Sequence, residues 1–585
     1  MLCHDSHSPY YRTPAGPVPA GTPVKFRFAC DDAESVVLRT WMGEERAYAM
    51  RFDGTSVWET TVTMPESTGL MWYDFIIYHA DGHTWRYGAP EDDLGGEGHV
   101  CDGYLHSFRI TLYDRNWKTP SWMHGANIYQ IFPDRFFKAP TQSVDTSRGR
   151  RMHKEWDEDL FPMRERENGS MDFYGGTLNG IREKIPYLQQ MGITVLYLNP
   201  VFQSMHNHHY DTGDYTKIDP LLGNIADFDA LCRACEAAGI HVMLDGVFSH
   251  TGQDSVYFNA FGHYNSIGAA QSEKSPYYPW YSFEQYPSRY RCWWGDASLP
   301  ECRKDDPSYQ DFMFRDREGI VPRWLLEGAD AWRLDVADEL TMDFLRKLKT
   351  SARKAKHDAV VLGEVWEDAS CKEAYGELRC YCTGDTLDTV MNYPLREAIL
   401  SFVMGRSTAG DLARLVRHQA EVYPAPFRYS LMNLLGSHDR ARVLNVLADK
   451  ECRDMPRTQQ HKVKLTKAEY ALAAARYRTC IDLICALPGC PTVYYGDEAG
   501  MTGCSDPFCR RPFPWGREDR DLQRYVADRL TAHHRSSVLR TGHCEVEAPD
   551  DDTLRIRRFM LDGRDALGHK TSVKGEETFV IRRDV

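Results

Sequence analysis

The chain has 585 residues, 42% of them hydrophobic and 26% charged, with a formal net charge of -14. That length exceeds one ordinary domain and predicts a large catalytic unit with accessory modules. The acidic balance, with basic residues scattered among acids, argues against a nucleic-acid partner, and no apolar run is long enough to span a bilayer.

The opening stretch MLCHDSHSPYYRTPAG lacks a basic segment followed by an apolar one, so the expectation is a cytoplasmic protein with no secretory signal. The 17 cysteines are odd in number and scattered, which reads as reduced thiols rather than a disulfide framework. Cys232 and Cys235 form a C-x-x-C within FDALCRACEAAGI, a helical pattern with no second pair at zinc spacing, and are read as core residues.

Over residues 1–115 the runs PVKFRFAC, SVVLRTW, VWETTVTM, MWYDFIIYH and HTWRYG are short, alternating or aromatic-rich, and separated by Gly, Asp and Pro. They predict an N-terminal β-sandwich. Residues 116–540 change texture. The apolar runs NIYQIF, TVLYLNP, HVMLDGV, ADAWRLDV, AVVLGEVW, LDTVMNY, YSLMNLLGS and PTVYYGDE alternate with helical patterns such as LNGIREKIPYLQQMGI and MDFLRKLKTSARKAK. This is an α/β alternation, with the strand count of a closed (β/α)8 TIM barrel. A segment rich in Tyr, Pro and Trp, residues 251–320, interrupts it after the third strand and predicts an inserted lobe over the active face. Residues 541–585 hold TLRIRRFML and ETFVIRRDV, which predict a short C-terminal β region.

Barrel enzymes place their chemistry at the carboxyl ends of the strands. There the sequence puts Asp245 and His250 after strand three, Arg333 and Asp335 on strand four, Glu364 after strand five, and His438 and Asp439 after strand seven. A single acid at a strand end often caps the next helix. Several carboxylates with two histidines and an arginine on one rim are costly to pack together and suit catalysis instead. Without a metal, such a set suits acetal cleavage, with one carboxylate attacking carbon and one carboxylic acid protonating the leaving oxygen. Arg333 and Asp335 are two apart and share a strand face, so the guanidinium is expected to keep Asp335 ionised. Glu364, among acids, is expected to hold its proton.

In DGVFSH, GADAWRLDVADE, GEVW and LLGSHD the sequence resembles the α-amylase family of glycoside hydrolases; IYQIFPDRF, NHHYDTGDY and PTVYYGDE are similar to further signatures of that family. MNYPLR, DPFCRRPFPW and the N-terminal sandwich, a starch-associated module in that branch, resemble the neopullulanase, cyclomaltodextrinase and maltogenic amylase branch. The resemblance implies Asp335 as nucleophile with retention, Glu364 as general acid/base and Asp439 as a transition-state stabiliser. It implies that Arg333 orients Asp335, and that His250, His438, His208, Tyr210 and Asp245 bind or support one sugar, with Glu339 on the leaving-group side. The substrate implied is an α-glucan: maltodextrin, cyclodextrin or pullulan, cut at α-1,4 bonds with α-1,6 cleavage left open, and with transglycosylation beside hydrolysis. A non-catalytic glycan-binding or partner protein on the same scaffold is the alternative, and the retained Asp335, Glu364 and Asp439 argue against it.

No cofactor is required by this reading and no residue is assigned to a metal. HNHHYD could be read as a metal site, but a sugar-binding His208 beside Tyr210 is preferred. Many members of the branch bind calcium after the first strand. Here that loop, KAPTQSVDTSRG, offers only Asp145, with Gly169 and Asp172 as the other half, so a hard-cation cage is poorly supplied. Trp280, Trp293 and Trp294 in the lobe are expected either to stack on sugars or to pack in its core. Relatives often pair through the N-terminal module, so a homodimer is compatible with the resemblance.

Overall fold

The structure is a computed structural model describing residues 2–101, 103–139, 149–160 and 169–583. At its centre is a parallel sheet of eight strands: β1 (Ile128–Ile131), β2 (Val195–Leu198), β3 (His241–Gly246), β4 (Ala331–Leu334), β5 (Val360–Gly363), β6 (Thr389–Val390), β7 (Met432–Leu434) and β8 (Cys490–Tyr494). Each strand pairs with its sequence neighbour, β8 pairs with β1, and a Met391–Met432 bridge joins the β6 and β7 segments, so the barrel closes. Each of the eight apolar runs contributes one strand.

Alternation along the strands separates two cores. Ile128, Val195, Met243, Ala331, Val360, Leu362, Met432 and Leu434 fill the barrel interior. Tyr129, Leu196, Leu244, Trp332 and Val361 face outward into the layer shared with the helices. The helices start on capping side chains. Asn224 and Asp227 form a reciprocal box at Ile225–Ala237, and Thr341 accepts the Phe344 N–H at the head of Met342–Ala355. The run LNGIREKIPYLQQ is two helices rather than one, Leu178–Glu183 and Ile185–Gln190, because Pro186 cannot supply the N–H an unbroken helix needs.

The N-terminal runs form two sheets of five and seven strands around Phe26, Phe28, Leu38, Tyr73, Phe75 and Ile110. The sandwich docks on the barrel through named polar contacts: Thr111 Oγ1 donates to the Val422 carbonyl at 2.7 Å, and Arg109 Nη2 meets Asp368 Oδ2 at 3.2 Å. At the other end of the chain, His543–Asp550, Thr553–Phe559 and Glu576–Arg582 make a three-stranded antiparallel sheet. The two expected strands pair, and a third, HCEVEAPD, joins them. Buried Arg558 pins this sheet by donating to the carbonyls of Ala486, Leu539 and Gly542 at helix ends. One expectation is corrected here: Cys452 and Cys504 are paired as a disulfide, so the thiols are not all reduced, because the loops after β7 and β8 bring their Cα atoms to 5.8 Å.

Candidate active site

Strand register assembles the site. Asp245 on β3 lies directly opposite Arg333 on β4, and both point into the barrel mouth. Arg333 is fully buried, and its guanidinium reaches three carboxylates. Nη1 donates to Asp245 Oδ1 at 2.7 Å and to Asp335 Oδ1 at 3.0 Å, while Nη2 stands 2.7 Å from Glu364 Oε2, off the hydrogen-bond line. One cation thus serves three acids, because adjacent strands carry them to the same end of the barrel.

The residue after Asp335 has an unusual backbone. Val336 has φ 38° and ψ 66°, the left-handed region, which β-branched residues rarely occupy. That turn directs its N–H at Glu364 Oε2, 2.9 Å away, while the Trp366 indole donates to Oε1 at 3.1 Å. Backbone strain at one position thus aims the acid against its neighbour.

Burial pushes the carboxyls of Asp335, Glu364 and Asp245 upward; Arg333 opposes it, and for Asp335 the nearby Glu364 and Asp245 add to the rise. Three acids around one guanidinium titrate as a set. The rise at Glu364 runs in the direction expected of an acid that keeps its proton. At Asp335, burial and the neighbouring acids push against Arg333, which favours the carboxylate.

The floor is a stack. Tyr210 and His438 lie face to face at 5.2 Å and 6°, and His208 leans on Tyr210 at 6.0 Å and 26°. The Tyr210 hydroxyl lies 2.9 Å from Asp245 Oδ2 and 2.6 Å from His438 Nε2, and accepts from Asn199 Nδ2 at 2.9 Å. Burial drives the His438 and His208 imidazoles well below their usual pKa, and His250 down to about 4, so all three are neutral. His250 has both nitrogens engaged: Nε2 donates to the Tyr210 carbonyl at 3.1 Å and Nδ1 meets Ser249 Oγ at 2.9 Å. In this structure it fixes Tyr210. Asp439, on the cleft side, is flanked by His438 Nε2 at 3.2 Å and Arg510 Nη2 at 3.4 Å. Glu339 is half-buried in the turn after β4 and accepts from the Tyr375 hydroxyl at 3.3 Å. Beyond it opens a cleft of about 430 Å³ lined in part by Trp293, Trp294 and Tyr375.

Several residues at the site were not singled out from the sequence. Trp366 stacks on Tyr393 at 4.0 Å beneath the Arg440 guanidinium, and Arg510 holds the His438 carbonyl through Nε at 2.8 Å. Gln130 and Tyr197 bond His438 Nδ1 and Asp245. Both occupy inward positions paired in register on β1 and β2, so strand parity was the signal that could have found them. Of the lobe tryptophans, Trp280 is core, 3% exposed, with its indole donating to Ser308 Oγ. Trp293 and Trp294 stack on each other at 5.0 Å, and Trp294 is 75% exposed.

In the calcium half-site, among the described residues, most oxygens already have N–H partners. The Gly169 carbonyl accepts from Asn207 Nδ2 at 2.8 Å, and the Asp172 carbonyl from Asn207 and Arg135. Asp172 Oδ1 receives Arg151 Nε and Nη2, both at 2.7 Å. N–H donors occupy these oxygens, while Asp172 Oδ2 is buried without a hydrogen-bond partner. Asp145 lies outside the described residues.

A barrel mouth with paired carboxyls on one guanidinium, over an aromatic floor, is a site of the glycoside-hydrolase class. A family model described as "Alpha amylase, catalytic domain" matches residues 130–540. The chain is 36% identical to an amylopullulanase of Thermoanaerobacter thermohydrosulfuricus across 97% of its own length and 41% of that protein's. It is 32% identical to neopullulanase 2 of Thermoactinomyces vulgaris, over 82% of this chain and 73% of that one. The structure of a cyclic α-maltosyl-(1→6)-maltose hydrolase from Arthrobacter globiformis, in complex with that sugar, is 30% identical, with a TM-score of 0.62 over 75% of this chain and 89% of the other. The chain belongs to the α-amylase family. It spans less than half the length of the amylopullulanases it matches, 41%, 47% and 32% of three of them.

Proposed function

We propose that the protein is a retaining hydrolase of α-glucosidic bonds in maltodextrins, cyclodextrins or pullulan. The observation that carries this is the Arg333 guanidinium bridging Asp335 and Glu364 at the mouth of the barrel. Asp335 Oδ attacks the anomeric carbon as Glu364 gives its proton to the departing glycosidic oxygen, forming a glycosyl ester. Water then attacks that carbon, giving its proton to Glu364, and Asp335 leaves as carboxylate. A sugar hydroxyl in place of water gives transglycosylation. Asp439, beside the stacked Tyr210 and His438, is placed to hold hydroxyls of the distorted ring. Relatives named amylopullulanase, neopullulanase and cyclomaltodextrinase support α-1,4 cleavage, with α-1,6 cleavage alongside it. We also propose that the reaction needs no metal.

Asp335→Asn is expected to lose ~10⁴-fold or more in turnover with the fold intact, since no nucleophile remains. Glu364→Gln is expected to lose about 10²–10⁴-fold on maltodextrin and far less on a glycosyl fluoride, whose leaving group needs no proton. Equal losses on both substrates would refute the role of Glu364. Comparing rates and products on β-cyclodextrin, pullulan and soluble starch, with the product anomer read by NMR, decides linkage and stereochemistry.

A further inference from the structure

The loop after β2 brings His206, His208 and Asp211 together, and of these three sugar cleavage uses only His208. Asp211 is buried and anchored: Ser204 Oγ donates to Oδ1, and the Met205 N–H donates to Oδ2 at 3.2 Å. His206 Nδ1 lies 3.0 Å from Asp211 Oδ2, and His208 Nδ1 lies 3.9 Å from Oδ1. The two imidazoles face each other at 5.2 Å and 24°, with side chains 27% and 20% exposed. One donor atom from each of the three residues falls within 4.8 Å of the others.

We propose that His206, His208 and Asp211 form a binding site for a borderline divalent transition metal such as zinc or cobalt on the wall of the active cleft, and that an ion bound there inhibits cleavage. Two imidazoles and a carboxylate are a donor set for such ions and a poor one for calcium or magnesium. Tetrahedral bonds of about 2.0–2.2 Å place donor atoms roughly 3.3 Å apart. His206 Nδ1 is 3.0 Å from one Asp211 oxygen and His208 Nδ1 is 3.9 Å from the other, one below and one above that value. The fixed partner is the buried carboxylate, and the two that must adjust are part-exposed rings, so closure needs side-chain rotation alone. Water or a sugar hydroxyl takes the fourth position.

Inhibition follows from what His208 touches. Its ring stacks on Tyr210 and its Nδ1 accepts the Tyr210 N–H at 3.1 Å. Tyr210 in turn contacts Asp245 and His438. Drawing His208 toward a metal releases the residue that positions the sugar floor. The inhibitory clause rests on the proposed hydrolytic function; the binding clause does not.

The test uses the full chain with cobalt as probe, followed by its visible ligand-field absorption, and zinc as inhibitor of maltodextrin cleavage. His206→Ala is the variant, because His206 lies outside the cleavage machinery. His206→Gln, which keeps a donor toward Asp211, stands in if the alanine variant does not fold. The expected result is cobalt binding by the wild type, at least tenfold weaker binding in the variant, near-normal metal-free turnover, and zinc inhibition weakened to the same degree. Thiolate-bound cobalt is distinguished by its ultraviolet charge-transfer band, which the substitution leaves in place. Absence of the ligand-field band in the wild type, or its full retention in His206→Ala, overturns the site. Loss of binding with zinc inhibition unchanged overturns the inhibitory clause. If the protein cleaves no glucan at all, the absorption result still decides the binding clause.

Discussion

Val336 shows how one strained residue is held for chemistry. Its left-handed backbone costs of order 1–3 kcal/mol for a β-branched residue, and it delivers one N–H to Glu364. Glycine adopts that conformation freely, so Val336→Gly trades strain relief against lost side-chain contact and a more flexible unfolded chain. The expected outcome is a melting temperature equal to or above wild type, with turnover reduced because the N–H no longer holds its direction. A melting temperature several degrees lower would show that Val336 is unstrained. Nothing in GADAWRLDVADE announced this turn: the sequence placed Arg333 and Asp335 on one face, but a φ value is set by the neighbouring strands. The same reason hid the third partner of Arg333, since Asp245 is opposite it only by register.

Between elements, Glu498 locks the barrel seam. It follows β8, and its Oε1 accepts from Tyr129 on β1 and from Tyr187 on the helix Ile185–Gln190, each at 2.6 Å. Burial raises this carboxyl to about 7 from an ordinary 4.5. A raised acid contributes its stability below the unfolded pKa and loses it as pH climbs through the folded value, so the loss here falls between about 4.5 and 7 and is on the order of 3 kcal/mol. Glu498→Gln mimics the protonated form. Its melting temperature is expected to match wild type near about pH 5 and exceed it near about pH 8.5; a gap that does not widen would show that Glu498 stays ionised. A second test between elements concerns Asp172, already held by Arg151. Chelation with EDTA and addition of calcium are expected to leave the melting temperature unchanged, and a rise with calcium would show that a cation displaces the guanidinium.

For the molecule as a whole, buried neutral histidines contribute to the acid limit, four of them far apart in the fold. Burial lowers His4 and His533 to about 3 and His124 and His250 to about 4, from 6.5. They lie in the N-terminal sandwich, the last barrel helix, the barrel approach and the active face. A depressed group stabilises above its unfolded pKa and loses that contribution as pH falls toward the folded one. Melting temperature is therefore expected to fall steadily from about pH 6.5 to about pH 4, and a flat profile there would contradict neutral burial.

The architecture was legible because periodicity is local. Strand-length apolar runs between helical patterns announce a barrel whatever packs around them, and the acids at their ends announce where chemistry gathers. Arg333, Asp335, Glu364 and Asp439 could be named from the sequence for that reason. Tertiary structure alone decided which atoms meet. Trp280 became core while Trp294 faced solvent, His250 turned to the Tyr210 backbone, and Arg151 closed on Asp172. It also brought His206 to Asp211 and one guanidinium to three carboxylates. Those outcomes depend on register, loop path and burial, which are set by contacts between segments far apart in the chain and leave no local pattern to read.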